Sequence, residues 1–198
     1  MNRTALALIG AAILGLAAGG VYRELTSEGR GADTAALPGA APGEAPPAGT
    51  TGVPRRLPDL RFVDGDGAAR SLADWRGRAV LLNVWATWCA PCREEMPALD
   101  RVQAALGGPD FEVVALSVDR GGVPAVKGFY EELGLRALRI YVDTNGEALT
   151  RLGAVGIPLT LLLDRDGREL WRVIGPRKWD QAGELGRIRD HLARSAAR

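Results

Sequence analysis

Little in this chain can bind a metal or staple a scaffold. Among its 198 residues are two cysteines, Cys89 and Cys92, and one histidine, His191. A closed structural zinc site takes about four such ligands, and a disulfide scaffold takes several cysteine pairs. Both are excluded. Lysine is nearly missing as well: it stands only at 127 and 178, and the rest of the 25 basic residues are arginine. Against 24 acidic residues the formal net charge is +1, with no basic block, which argues against a nucleic-acid partner. Long uncharged runs are scarce. The longest is Thr4–Tyr22, and its central stretch Ala5–Val21, 17 residues diluted by glycine and alanine, has Arg3 ahead of it. That is the lower limit for a spanning helix. We read residues 1–22 as an uncleaved signal anchor, with a cleaved signal peptide as the alternative. No cysteine stands near the run, which excludes a lipoprotein anchor.

Residues 23–54 are rich in Ala, Gly, Pro and Thr and poor in large apolar side chains. Such a stretch cannot bury enough surface to offset chain entropy, so a disordered tether is predicted. Residues 55–198 remain as one domain, long enough to bury a real core.

What the sequence does have is centred on Trp88-Cys89-Ala90-Pro91-Cys92. The run Ala79–Ala86 ahead of it is apolar and rich in β-branched residues, as in a buried strand. Behind it, Met96, Leu99, Val102 and Leu106 recur at a helical period. Cys89 therefore sits where a helix begins, and Cys92 one turn inside. Unpaired backbone amides and the positive end of the helix dipole favour a thiolate at such a place. As a structural staple the pair is poor, since closing a four-residue ring contributes only ~2 kcal/mol against ~3 for fifteen residues. Redox chemistry is the better reading.

Coarse patterning completes the domain. A hairpin is expected over Leu60–Leu72 around Asp64-Gly-Asp-Gly67, and a fully apolar strand over Phe111–Val118. A helix is expected over Val123–Leu133, a short strand over Arg139–Val142 and a helical turn over Glu147–Leu152. A second hairpin, Leu159–Leu163 with Glu169–Ile174, turns at Asp164-Arg-Asp-Gly167, and a closing helix is expected over Trp179–Ala193. Strand–helix alternation implies parallel pairing in an α/β sandwich. Pro97 is expected to bend the active-site helix.

Trp85-Ala-Thr-Trp-Cys-Ala-Pro-Cys-Arg-Glu-Glu-Met-Pro97, with Gly156-Ile-Pro158 and Ile174-Gly-Pro-Arg-Lys-Trp179, resembles the thioredoxin-like proteins. Within these it most resembles the TlpA/ResA group of membrane-anchored thiol:disulfide oxidoreductases, over about Leu57–His191. The resemblance implies a thioredoxin-like three-layer sandwich with an N-terminal β-hairpin and a TlpA-type central insertion over about Leu135–Leu152. It implies Cys89 as attacking thiol, Cys92 as resolving thiol, and no cofactor beyond their disulfide.

Pro158 is then a cis proline facing the disulfide, and with Ile157, Trp88, Ala90 and Pro91 it forms the client-binding surface. Leu159 stands where many relatives carry Thr, a departure that bears on how the groove grips its partner. Glu95, three residues past Cys92, is expected to accept that thiol's proton, because Asn83 replaces the buried Asp of plain thioredoxin. The other reading of Glu95 is a surface carboxylate. Glu94 is expected to be solvated, Trp75 and Trp85 to pack, and Trp179 has no assigned role.

The same resemblance implies periplasmic clients in cytochrome c maturation or copper-site assembly, fed by a membrane electron donor of CcdA/DsbD type. It also implies tethering to the bacterial inner membrane through residues 5–22. Reduction is the expected direction, because Ala90-Pro91 is closer to the Gly-Pro of thioredoxin than to the Pro-His of the oxidant DsbA. A copper(I) chaperone and a non-catalytic docking module remain as alternatives, although the single histidine and its distance from the cysteines weigh against the Sco type.

Overall fold

The computed structural model describes residues 49–196, with side chains from 54 to 195. The anchor expected over 1–22 and the tether from 23 to 48 lie outside the described residues. No helix among the described residues is long and apolar enough to cross a membrane.

The central strand is β4 (Ala79–Trp85), with all seven residues buried. Such a run is what a strand covered on both faces requires. It pairs in parallel with β5 (Phe111–Ser117) and antiparallel with β7 (Leu159–Leu163). Helix α1 (Ala90–Leu106) follows β4, and α2 (Gly122–Leu133) follows β5. β6 (Tyr141–Val142) extends the parallel side, α3 (Glu147–Arg151) follows it, and α4 (Ala182–Ala196) closes the chain. With β1 (Gly49–Arg56), β2 (Arg61–Asp64), β3 (Ala69–Ser71) and β8 (Arg168–Ile174), the eight-stranded sheet runs β1-β8-β7-β4-β5-β6-β2-β3. This is the expected thioredoxin-like α/β fold, with the N-terminal hairpin β2–β3 attached through β6.

Both hairpins turn on the same local chemistry. The carboxylates of Asp64 and Asp164 each accept two backbone N–H groups, from Asp66 and Ala68 and from Asp166 and Arg168, at 2.8–3.0 Å. Gly67 and Gly167 follow at φ +81° and +67°, where a side chain would be strained.

One apolar core fills the domain. Trp85, fully buried, lies against Phe129 and Tyr130 of α2 at ring-centroid distances of 4.9 and 6.1 Å. Trp75, at the end of a 3-10 turn over Leu72–Trp75, meets Phe62 and Tyr141 under the hairpin. Both tryptophans pack, as expected.

Four expectations need correction. The ordered domain starts before residue 55, because β1 already spans 49–56, pairing antiparallel with β8. Backbone hydrogen bonding adds an edge strand without large apolar side chains, so composition alone misreads it. β5 is not fully apolar: Glu112 is buried in it, held by Tyr141 at 2.8 Å and Arg78 at 2.9 Å. The strand expected over Arg139–Val142 is only Tyr141–Val142. The closing helix begins at Ala182 rather than Trp179, because the indole of Trp179 is directed inward to a hydrogen bond. Pro97 lies inside α1, which continues through it to Leu106.

Candidate active site

β4 delivers the chain to Cys89 at its C-terminal end. The turn between them is tied down by Asp119, whose carboxylate accepts the N–H of Thr87 at 2.9 Å and its hydroxyl at 2.7 Å. Cys89 caps α1 in an extended conformation, φ −86° and ψ 103°, and its sulfur accepts the N–H of Cys92 at 3.3 Å. Pro91 sits in the first turn, where its missing N–H costs nothing. Cys89 and Cys92 form a disulfide with Cα atoms 5.2 Å apart. Cys92 is fully buried and Cys89 nearly so, while Ala90 is exposed and Trp88 is 68% exposed.

The Ile157-Pro158 bond is cis. The Ile157 carbonyl oxygen lies 3.8 Å from Cys89 Sγ, which brings this loop onto the disulfide. Pro158 itself is buried and Ile157 half-buried, and the Pro158 carbonyl accepts the N–H of Gly175 at 2.8 Å. Leu159 corrects an expectation: its side chain is fully buried in the core, so it does not line the groove.

Glu95 is not a surface carboxylate; it is 3% exposed. Oε1 accepts Asn83 Nδ2 at 2.8 Å, and Oε2 accepts the Arg177 N–H at 2.9 Å and the Trp179 indole N–H at 3.0 Å. Burial pushes the carboxyl up to about 7, against the opposing pull of these hydrogen bonds. It is therefore poised to exchange a proton near neutrality. Glu94, its neighbour, is exposed as expected.

Sequence reasoning named Glu95 but missed its cage of donors from Asn83, Arg177 and Trp179. Asn83 Nδ2 also donates to Thr160 Oγ1 at 2.9 Å, across the β4–β7 pairing in which the two residues are register partners. A signal was there. Each is a polar residue inside an otherwise apolar run, and buried polar groups require partners.

Two further features frame the site. A cleft of about 800 Å³ lies elsewhere, between the β7–β8 turn and α4, lined by residues such as Trp171, Arg187 and His191. Among the described residues no group of three or more His, Cys, Asp and Glu could hold a metal ion.

A family model described as Redoxin matches residues 51–187. The chain belongs to the Redoxin family. Among similar proteins, the thiol-disulfide oxidoreductase ResA of Bacillus thuringiensis subsp. konkukian (strain 97-27) is 30% identical over 132 residues. That match covers 67% of this chain and 75% of the relative. A thiol:disulfide interchange protein of the thioredoxin family from Chlorobium tepidum TLS is 28% identical with a TM-score of 0.56. The match covers 71% of this chain and 97% of that one. The exposed lipoprotein thioredoxin Etrx1 of Streptococcus pneumoniae strain TIGR4 is 25% identical, TM-score 0.56, covering 69% and 99%. As a Redoxin-family protein with a Cys-x-x-Cys disulfide at a helix N-terminus, the chain is a thiol:disulfide interchange enzyme.

Proposed function

We propose that the chain is a membrane-tethered periplasmic protein disulfide reductase. The observation that carries this reading is the Cys89–Cys92 pair, with Cys89 at the mouth of α1 beside Ile157 and Pro158. In the reduced enzyme the Cys89 thiolate attacks a client disulfide. One client sulfur joins Cys89 Sγ and the other leaves as a thiolate that takes up a proton. Cys92 gives its proton to Glu95 and attacks Cys89 Sγ, releasing the second client thiolate. Two electrons have passed to the client, and the enzyme is left as the disulfide seen here.

The start of α1 suits the first step. The Cys92 N–H that reaches Cys89 Sγ stabilises negative charge there, on the thiolate that attacks the client. Trp88 beside Cys89 and Val155 beside Gly156-Ile-Pro158, 68% and 84% exposed, give a protein client an apolar landing. The chain at exposed Gly156 and half-buried Ile157, next to the cis proline, is the place for strand-type hydrogen bonds to an extended client segment.

Tethering is assigned to residues 5–22, with the stretch after them as spacer and the enzyme domain facing the periplasm. That compartment is oxidising, so a reductant there draws electrons from a membrane donor of CcdA/DsbD type. Clients in cytochrome c or cytochrome oxidase copper-site biogenesis belong to the same proposal, on the resemblance of the active-site segment Trp85–Pro97 to the TlpA/ResA group.

The test is a trap and a potential. Cys92→Ser is expected to accumulate mixed disulfides on Cys89 that release their clients with dithiothreitol. The wild-type couple is expected below about −200 mV, where a value near about −120 mV would make the protein an oxidant. Absence of any reversible dithiol couple overturns the reading.

A further inference from the structure

Glu95 holds its two oxygens differently. Oε2 accepts from the Arg177 backbone N–H and the Trp179 indole N–H. Both groups donate only, and neither can ever accept. A proton placed on Oε2 would point at two other protons. Oε1 faces the Asn83 amide alone, and that amide keeps its other end in reserve: Asn83 Oδ1 is buried without a hydrogen-bond partner. Turning the amide by half a turn brings Oδ1 to Oε1. The same turn presents Oδ1 to Thr160, whose hydroxyl can change from acceptor to donor. Nδ2 then takes the unpartnered place of Oδ1, so the exchange leaves Asn83 with the same number of unsatisfied atoms.

We propose that Trp179, with the Arg177 amide, is a positioning residue that reserves Oε2 as a permanent acceptor, so that Glu95 carries its exchangeable proton on Oε1 and Asn83 turns its amide to receive it. This rests on Glu95 as the proton acceptor for Cys92. It adds where the proton sits and which residues set the affinity for it. Atoms balance without a co-reactant: one proton moves to Oε1, and two hydrogen bonds reverse direction.

The surroundings keep the device clean. Cys92, on the preceding turn of α1, does not titrate while it is in the disulfide. Glu94 and Lys178 are exposed, and the Arg177 guanidinium is directed to Glu184 at 3.3 Å. Asn83 from β4 and Thr160 from β7 carry no charge. The segment that supplies Trp179 begins at Gly175, whose N–H is held by the Pro158 carbonyl at 2.8 Å. The proton state of Glu95 is therefore tied to the client-binding loop at both ends, through Thr160 and through Gly175.

The test uses the full chain in its oxidised form, with ¹⁵N-labelled side chains followed by NMR across about pH 5 to pH 9. The Trp179 indole resonance, identified by its loss in Trp179→Phe, is expected to titrate with a midpoint of about 7. The Asn83 side-chain amide is expected to move at the same midpoint, and both responses vanish in Glu95→Gln. In Trp179→Phe the midpoint, read from the Arg177 amide, is expected to rise by about one pH unit, a tenfold gain in proton affinity, because one donor to the anion is gone. An indole resonance that stays flat while the Arg177 amide titrates overturns the proposal, as does an unmoved midpoint in Trp179→Phe or a silent Asn83 amide. If Trp179→Phe does not fold, the indole is assigned by its proximity to the Arg177 amide on the same Glu95 oxygen, and the wild-type indole and Asn83 titrations decide. No turnover enters these readings, so their failure is separate from a failure of the cysteine trap.

Discussion

Asp119 accepts both hydrogen bonds that Thr87 offers, its N–H at 2.9 Å and its hydroxyl at 2.7 Å, two residues ahead of Cys89. The same carboxylate accepts the Ser117 hydroxyl at 2.7 Å and is 4% exposed. It fixes the loop that carries Trp88 and Cys89 to the end of β4. Asp119→Ala leaves those donors without an acceptor and is expected to cost about 3 kcal/mol. Urea unfolding would show a lower midpoint with an unchanged slope. Interchange is expected to slow as the Cys89 loop loosens.

Glu169 is the pin that joins β1 to β8. It is 1% exposed and takes Arg172 at 2.6 Å through both oxygens and Arg55 at 2.8 Å. Burial pushes its carboxyl up, but the Arg172 and Arg55 hydrogen bonds outweigh that and leave it below the ordinary value. The unfolded chain therefore takes up protons first as pH falls, so this stabilisation is present above about pH 4.5 and lost below it. Glu169→Gln is expected to cost about 3 kcal/mol at neutral pH by leaving the Arg172 charge unpaired. The deficit should shrink toward pH 3, which unfolding curves at the two pH values would reveal.

The redox core was legible because its determinants are local. A strand, a turn, two cysteines and an amphipathic helix follow one another from Ala79 to Leu106, and each carries its own pattern. Glu95 was legible as a position, since i and i+3 lie on one helix face. Its cage was not. Asn83, Arg177 and Trp179 stand 12, 82 and 84 residues from Glu95, and no helical or strand period links them. Glu112 hid for the same reason, since its partners Arg78, just ahead of β4, and Tyr141, in β6, lie far from it in the chain. β1 escaped because edge pairing uses backbone groups that every residue has.

Trp88 presents a large indole to solvent beside Cys89, with 68% of its surface exposed. Removing it leaves no cavity. Trp88→Ala is expected to change unfolding stability by less than about 0.5 kcal/mol. Reduction of a protein disulfide should fall about tenfold in kcat/KM, the loss of an aromatic anchor, while reduction of a small aromatic disulfide is nearly unchanged. Equal losses for both substrates would instead place Trp88 in the chemical step.

Glu95 carries a stability cost with a definite sign. Its native carboxyl holds a proton up to about 7, whereas the ordinary value is 4.5. Between those values the native state binds more protons than the unfolded chain, so stability falls as pH rises. The favourable contribution is complete below about pH 4.5 and is lost as pH climbs through about 7. The gap corresponds to about 3 kcal/mol. Glu95→Gln is neutral throughout. Its carbonyl can take the Oε2 place before Arg177 and Trp179, with its amide facing a turned Asn83. The variant is therefore expected to fold and to gain on the wild type by about 3 kcal/mol between pH 5 and pH 8. Its interchange rate should lose the wild type's pH dependence around neutrality. Parallel stability curves would mean that Glu95 is ionised across the whole range and has no proton to exchange with Cys92.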